Sequence, residues 1–168
     1  MKFTIETAKV QQLPAIADLA KEIWNEHYLG IISQPQIDYM LEKDYNLDAL
    51  QKDVDLGTIF LVATQKKQPI GFAAFKSLSS ETLKLEKLYL LNAYQGQGIG
   101  AALLKQVETV ALARGARDII LFVNKHNRLA ISAYCRAGYV HFDSVLESIG
   151  EGFFVDDFIL RKTLGLSH

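Results

Sequence analysis

The sequence predicts an α/β protein of the α+β type, in which helices flank a mixed, mostly antiparallel sheet. Strand-like runs at residues 58–64, 70–76 and 83–91 follow one another without a helix between them, which indicates an antiparallel meander. The helical spacing of residues 98–114 and the strand-like run at 118–123 then indicate a βαβ unit, whose two strands are parallel. The sheet is therefore expected to be mixed.

Length and composition favour one domain over residues 1–168. A chain of 168 residues with 49% hydrophobic and 22% charged residues lies within the ordinary globular range and can bury a core of its own. No internal repeat, low-complexity stretch or linker divides it. We therefore expect a single domain.

The first third of the chain is predicted to be a strand followed by helices. Residues 3–9 alternate as a strand does, and Pro14 lies near the start of an amphipathic helix. Ser33 is a capping residue and Pro35 suits a first helical turn, so a second helix begins there. Residues 46–53 are predicted as a short helix or turn.

The remaining connections follow from turn and capping residues. Residues 65–69 have the length and chemistry of a hairpin loop, and Gly115 suits the end of the long helix. A further helix is predicted over residues 127–137, because it begins with an Asn cap and is followed by a Gly. Residues 141–145 and 153–160 are predicted as a closing antiparallel strand pair.

Charge and cysteine content exclude several classes of function. The 18 basic and 19 acidic residues give a net charge of −1, so the chain as a whole does not attract nucleic acid or anionic lipid. The single cysteine, Cys135, excludes an internal disulfide framework and suits a reducing compartment. There is no membrane-length apolar run and no signal-peptide pattern, so a cytoplasmic protein is expected. No metal site is expected, because the histidines show no ligand spacing: His27, His126, His141 and His168.

A glycine-rich segment lies between the third strand of the meander and the long helix. It consists of Gln95, Gly96, Gln97, Gly98, Ile99 and Gly100. Small residues at a helix N-terminus let the backbone approach a ligand, and the helix dipole favours an anion there. Residues 96–101 also satisfy the dinucleotide pattern G-x-G-x-x-A, but the antiparallel meander upstream is foreign to a doubly wound sheet. A phosphate ligand is implied.

Two motifs in order resemble the GNAT superfamily of acetyl-CoA-dependent N-acetyltransferases. The family signature [RQ]-x-x-G-x-[GA] is matched by Gln95, Gly98 and Gly100. Its later stretch N-x-x-A-x-x-x-Y-x-x-x-G-[FY] is matched from Asn127 through Tyr134 to Gly138 and Tyr139. The resemblance spans nearly the whole chain, and it implies a GNAT-like sheet that is splayed between the strands on either side of the glycine-rich segment.

This resemblance implies acetyl-CoA as cosubstrate. Its pyrophosphate is expected on the backbone amides of residues 95–100, and Asn127 is expected to bond the cosubstrate or cap its helix. The pantetheine arm is expected along the strand edge of Leu88, Tyr89 and Leu90. A backbone N–H at a bulge near Tyr89 or Leu90 could polarise the thioester carbonyl.

The resemblance also implies direct transfer from acetyl-CoA to a primary amine in a ternary complex. Tyr134 is expected to be the general acid that protonates the departing thiolate. Glu86, on the strand before the glycine-rich segment, is the candidate base that deprotonates the amine. Cys135 is interpreted as an inert thiol.

The acceptor pocket is expected between the first helices and the final strands. The candidate acceptor-binding residues are aromatic, basic or acidic: Trp24, His27, Tyr28, Tyr39, Asp156 and Asp157. Aromatic walls with carboxylates suit a small polycation, and the pattern resembles PaiA-like bacterial polyamine acetyltransferases. The alternatives are an N-terminal peptide acetyltransferase, a non-catalytic acyl-CoA-binding regulator and a dinucleotide-dependent oxidoreductase domain. Homodimer formation is left open.

Overall fold

The computed structural model describes residues 2–165. Its helices are α1 (Leu13–His27), α2 (Gln34–Tyr45), α3 (Leu47–Asp55), α4 (Ile99–Ala113) and α5 (Arg128–Arg136). Its strands are β1 (Thr4–Thr7), β2 (Ile59–Gln65), β3 (Gln68–Ser77), β4 (Thr82–Leu90), β5 (Asp118–Asn124), β6 (Val140–Gly150) and β7 (Phe153–Thr163). These strands form one sheet in the order β1-β2-β3-β4-β5-β7-β6.

The sheet is mixed, as predicted. β4 and β5 are parallel, and Thr82 pairs with Asp118. The β1–β2, β2–β3, β5–β7 and β6–β7 pairs are antiparallel. The fold class predicted from the sequence is confirmed.

Side-chain caps begin α2 and α3, and the cap of α2 is the predicted Ser33. The Ser33 hydroxyl accepts a hydrogen bond from the Gln36 N–H at 3.2 Å, and Asn46 does the same for Ala49 at 2.8 Å. The latter bond starts α3, so the short helix or turn expected at residues 46–53 is a helix. At the end of α4, Gly115 adopts a φ of 80°, a conformation that glycine accepts without steric cost.

Two hairpins differ from the sequence prediction. The loop expected at residues 65–69 is only the pair Lys66 and Lys67, whose φ values of 50° and 65° match the tight turn that twisted strands favour. Pro69 therefore lies inside β3, beside a register shift in β2, where a missing N–H is tolerated. The last hairpin extends the predicted strand at residues 141–145 to Gly150.

The chain divides into two compact units. The first comprises residues 1–76 and 87–106, and the second comprises residues 77–86 and 107–168. In the first unit, α1, α2 and α3 pack their apolar faces on β2 and β3, with Ile37, Leu50 and Phe72 wholly buried. In the second unit, alternate residues of β5 are buried. That a single domain spans residues 1–168 stays a prediction.

Candidate active site

The glycine-rich segment of the first unit has the geometry of an anion site. Gly96 and Gly98 adopt φ values of 76° and 84°, and the Gly98 carbonyl accepts the first helical bond, from Ala102 N–H at 3.0 Å. Gly98 is therefore the cap of α4, and the N–H groups of the following turn have no acceptor within the helix. A Cβ atom built on Gly96, Gly98 or Gly100 meets nothing within 4 Å. The backbone amides of this turn are open to a phosphate.

The signature glutamine folds back onto the strand end that precedes it. Gln95 Nε2 lies 3.4 Å from the Leu90 carbonyl and 3.2 Å from Asn92 Oδ1. Gln97 Nε2 lies 3.4 Å from the Ala93 carbonyl. These side chains order the turn, so its contribution to an anion site comes from the backbone.

The end of β4 lies very close to β3. A Cβ atom on Gly71 would lie 2.7 Å from Leu90 Cδ1 and 2.8 Å from the Tyr89 carbonyl oxygen, closer than packed atoms approach. The Leu91 N–H donates to the Ile70 carbonyl at 3.0 Å, which ties the strand end to its neighbour. Glycine at position 71 is therefore required for the path of the backbone at Tyr89 and Leu90.

Predicted acceptor and cofactor residues meet in an aromatic cluster of the first unit. The Trp24 ring lies 4.5 Å from that of Tyr28 and 5.7 Å from that of Tyr89, measured between centroids. The hydroxyl oxygens of Tyr28 and Tyr89 are 3.2 Å apart. The sequence reasoning missed a fourth member, Tyr45, whose ring lies 5.7 Å from Trp24. Its eight-residue spacing from the buried Ile37 in α2 is a signal that could have identified it.

Two further residues predicted to bind the acceptor, His27 and Tyr39, contact residues other than Trp24. His27 packs edge-on against Tyr28 at 4.9 Å between centroids, and Tyr39 has the Lys43 ammonium 5.9 Å from its ring centroid. A groove of about 370 Å³ lies between α1 and α2. It is lined by Ala17, Asp18, Lys21, Asp38, Leu41, Glu42, Tyr45 and Asn46, so it is not the pocket that the sequence predicted.

The second unit contains Asn127 and Tyr134. Asn127 is buried, and its Oδ1 atom accepts a hydrogen bond from Ala130 N–H at 3.4 Å, so this residue caps α5. Tyr134 is 9% exposed and lies one turn from the end of α5. Its ring centroid is 5.8 Å from that of Tyr139. The cap and the packing therefore fix the position of Tyr134 in its unit.

A buried charged pair lies close to the same tyrosines. Lys162 Nζ lies 2.8 Å from Glu108 Oε1, and the Glu108 side chain is only 10% exposed. Burial, together with Glu108 and Tyr134, raises the pKa of Tyr139 far above its usual range. The Tyr139 hydroxyl is buried and has no hydrogen-bond partner among the residues described. The sequence signal for this pair is a glutamate on the apolar stripe of α4 between Leu104 and Ala111.

The two acidic candidates of β7 point to opposite faces of the sheet, because they are adjacent in a strand. Asp156 Oδ1 lies 2.8 Å from Lys125 Nζ. Asp157 pairs with Asn124 of β5, and Lys84 pairs with Ile120 of β5. Because Ile120 and Asn124 are four residues apart, they lie on the same face of the sheet, and so do their partners. Asp157 therefore shares a face with Lys84 and Glu86, whose charged atoms are 3.8 Å apart.

The surroundings of Asp157 change its acidity. Burial, and after it the charge of Asp156, raises the pKa of Asp157 to about 6, and Glu147 of β6 adds to the increase. Lys84 and Lys125 act in the opposite direction but do not cancel it. Among residues 2–165, the Asp157 carboxylate has neither a hydrogen bond nor an ion pair. It is available to a ligand cation.

Residues 2–165 contain no group of three or more His, Cys, Asp or Glu side chains placed to hold a metal ion. None of the helices over these residues combines the length and apolarity of a membrane span. His168 lies outside the described residues.

Known proteins match both the sequence and the fold. A sequence model of the acetyltransferase (GNAT) family matches residues 15–139. The spermidine N(1)-acetyltransferase of Thermoplasma acidophilum is 26% identical over 144 residues, which are 83% of this chain and 89% of that protein. The uncharacterized N-acetyltransferase YuaI of Bacillus subtilis is 30% identical over 129 residues, 74% of this chain and 73% of that protein.

Solved structures agree with these sequence matches. The PaiA N-acetyltransferase from Thermoplasma acidophilum, solved in complex with coenzyme A, superposes with a TM-score of 0.83 at 26% identity and covers 97% of this chain and 99% of its own. A GCN5-related N-acetyltransferase from Rhodopseudomonas palustris has the same TM-score at 19% identity, covering 98% and 97%, which shows the fold alone. The chain therefore belongs to the GNAT family, as an N-acetyltransferase that depends on acetyl-CoA.

Proposed function

We propose that this enzyme acetylates a small polyamine-like primary amine by direct transfer from acetyl-CoA in a ternary complex. The observation that carries the acceptor class is the match to a spermidine acetyltransferase over 83% of the chain. The half-buried carboxylate of Asp157, which forms no ion pair among residues 2–165, adds support from the chain itself. A carboxylate in that state favours an ammonium ligand.

The cosubstrate is proposed to bind through the backbone of the glycine-rich segment. The amides of Gln95, Gly96, Gln97, Gly98, Ile99 and Gly100 would hold its pyrophosphate. The open space at each glycine and the uncapped first turn of α4 support this placement. The pantetheine arm would lie along Leu88, Tyr89 and Leu90, where a backbone N–H would polarise the thioester carbonyl. Asn127 supports the site by capping the helix that carries Tyr134.

In the transfer step the amine nitrogen forms a bond to the acetyl carbon while the carbon–sulfur bond breaks. The thiolate that leaves is proposed to take its proton from Tyr134. A phenol has a pKa of about 10, close to that of a thiol, so this transfer is nearly balanced in free energy. Trp24, His27, Tyr28 and Tyr39 are proposed to line the acceptor side with aromatic rings, which attract ammonium groups.

An acceptor screen tests the proposal. Purified protein is incubated with acetyl-CoA and one amine at a time, and free thiol is measured over time. Spermidine and other polyamines are expected to exceed monoamines, amino acids, aminoglycosides and N-terminal peptides in kcat/KM. A higher kcat/KM for peptide N-termini than for every polyamine would mean that the acceptors are peptides. Acetyl-CoA binding without thiol release from any amine would instead favour a regulatory protein.

A further inference from the structure

The second unit presents a charged sheet face that is occupied by several carboxylates. Residues on this face follow from the strand register: Lys84 and Glu86 on β4, Asp157 on β7, and Glu147 on β6, which pairs with Val155. Lys125, which follows β5, also acts on Asp157. Arg161 and Asp143 lie on the same face, because they pair with Ile120 and Ile159. Acidic and basic groups are therefore nearly balanced around Asp157, and the case for a cationic ligand rests on the Asp157 carboxylate itself.

The carboxylates of this unit are not equivalent. Glu86 is 3.8 Å from the Lys84 ammonium, and Asp156, on the other face, is 2.8 Å from the Lys125 ammonium. Asp157 is half-buried and has no such partner among residues 2–165. An ammonium ligand at Glu86 or Asp156 has to displace a lysine, whereas one at Asp157 does not.

We propose that Asp157 is the general base of the acetyl transfer, taking the ammonium proton of the acceptor amine, and that Glu86 does not have this role. The inference rests on the proposed function. It deepens that function by assigning the proton acceptor to one residue.

Every proton in the proposed acetyl transfer has a donor and an acceptor. The acceptor enters as R–NH₃⁺ and gives one proton to the Asp157 carboxylate, which leaves the neutral amine R–NH₂. The amine nitrogen attacks the thioester carbon and the carbon–sulfur bond breaks. The departing thiolate takes the Tyr134 proton, and the Tyr134 phenolate then takes the second nitrogen proton. Asp157 then returns its proton to water. The products are the acetylated amine, free coenzyme A thiol and one proton.

The acidity of Asp157 supports this assignment. An amine has a pKa of about 10, so proton transfer to an ordinary carboxylate is uphill by roughly six pKa units. Burial and the neighbouring Asp156 and Glu147 raise the pKa of Asp157 to about 6, which narrows the gap. Asp157 is still ionised at neutral pH, as a base must be.

The experiment compares wild-type protein with Asp157→Asn, Asp157→Glu and the control Asp143→Asn across pH 5.5 to 10. Asp143 is an exposed carboxylate of β6 that pairs with Ile159, so the control removes an equal charge from the same face. Thiol release is measured with spermidine and with a monoamine of similar length at saturating acetyl-CoA. Thermal unfolding and acetyl-CoA affinity confirm that each variant is folded.

The wild-type kcat/KM is expected to fall below about pH 6, as Asp157 becomes protonated. Asp157→Asn should lose about a hundredfold or more in kcat at pH 7 with both amines, the lower end of what a positioned base contributes. The loss of kcat in Asp157→Asn should become smaller towards pH 10, because a large fraction of the amine is already neutral there. Asp157→Glu should recover part of the rate, and Asp143→Asn should stay within about threefold of wild type.

Three results would overturn the assignment. They are an Asp157→Asn rate within threefold of wild type at pH 7, a deficit that is constant with pH, and a loss confined to KM for spermidine, which would make Asp157 a charge anchor. A wild-type protein that releases no thiol with any amine would refute the proposed function itself. The two failures are therefore distinguishable.

Discussion

The ring of Tyr139 packs edge-on against that of Tyr134, with centroids 5.8 Å apart and planes inclined by 64°. The two tyrosines come from the same motif, but their hydroxyls differ. That of Tyr139 is buried and has no hydrogen-bond partner among the described residues. Tyr134 is proposed to donate its proton to the reaction. Replacing each tyrosine by phenylalanine is therefore expected to have a different effect: on stability at position 139 and on kcat at position 134.

Tyr139→Phe should leave stability unchanged or increase it. Its hydroxyl was desolvated on folding without gaining a hydrogen bond, a cost of about 1 to 3 kcal/mol that phenylalanine avoids. Urea unfolding measures the effect at constant ring packing. A loss of more than about 1 kcal/mol would mean that the hydroxyl has a partner in solution, such as a buried water.

Tyr134→Phe should lower kcat by about a hundredfold, because it removes the proton donor and keeps the ring. Acetyl-CoA affinity, measured by calorimetry, should change by less than about twofold. Tyr139→Phe is the control for ring packing and should keep nearly full kcat. If Tyr134→Phe retained half of the wild-type kcat while chemistry limits the rate, another group or water would be the acid.

Substitution of glycines in the glycine-rich segment should leave the protein folded but should impair binding of acetyl-CoA. Gly98→Ala and Gly115→Ala place a Cβ at φ values of 84° and 80°, each in open space, so both should lose similar backbone stability. Only Gly98→Ala should weaken acetyl-CoA binding, by more than about tenfold, or about 1.4 kcal/mol. Gly100→Leu, without positive φ, should do the same in a stable protein. Equal affinities in all three variants would contradict the phosphate site.

Local patterns in the sequence were sufficient for most of the fold and for the turn that begins α4. Capping residues such as Ser33 and Asn127 act within one helical turn, so the sequence itself contains the relevant partners. The glycine-rich segment is equally local. The tight turn at Lys66 and Lys67 was not predicted, because positive φ at two lysines is imposed by strand pairing rather than by the residues.

Long-range pairings explain what the sequence did not predict. Asp156 and Asp157 are adjacent and look equivalent in a sequence, but strand pleating directs them to opposite faces. Lys125 pairs with one, whereas the other has an elevated pKa. The buried pair of Glu108 and Lys162 joins residues 54 positions apart, a relationship that a single sequence cannot reveal.

Asp157 should also make stability depend on pH. Its pKa is raised to about 6 in the folded protein and lies near 3.9 in an unfolded chain, so the folded state binds the extra proton between these values. Stability from this group is therefore greatest at low pH and falls as pH rises from about 4 to beyond 6. Asp157→Asn should raise the melting temperature at pH 7.5 and have little effect at pH 4. A lower melting temperature at pH 7.5 would mean that the carboxylate gains a stabilising partner in solution.

Gly71→Ala should couple stability to cosubstrate binding. The added Cβ would lie 2.8 Å from the Tyr89 carbonyl oxygen, and a backbone atom cannot yield as the flexible Leu90 side chain can. Overpacking of this kind costs about 1 to 3 kcal/mol, and urea unfolding of the variant would measure the loss. Because the displaced segment is the proposed pantetheine edge, acetyl-CoA affinity should also fall, whereas affinity for adenosine 3′,5′-bisphosphate, which lacks the arm, should fall much less. A destabilised variant that binds acetyl-CoA as wild type does would place the pantetheine arm elsewhere than on residues 88–90.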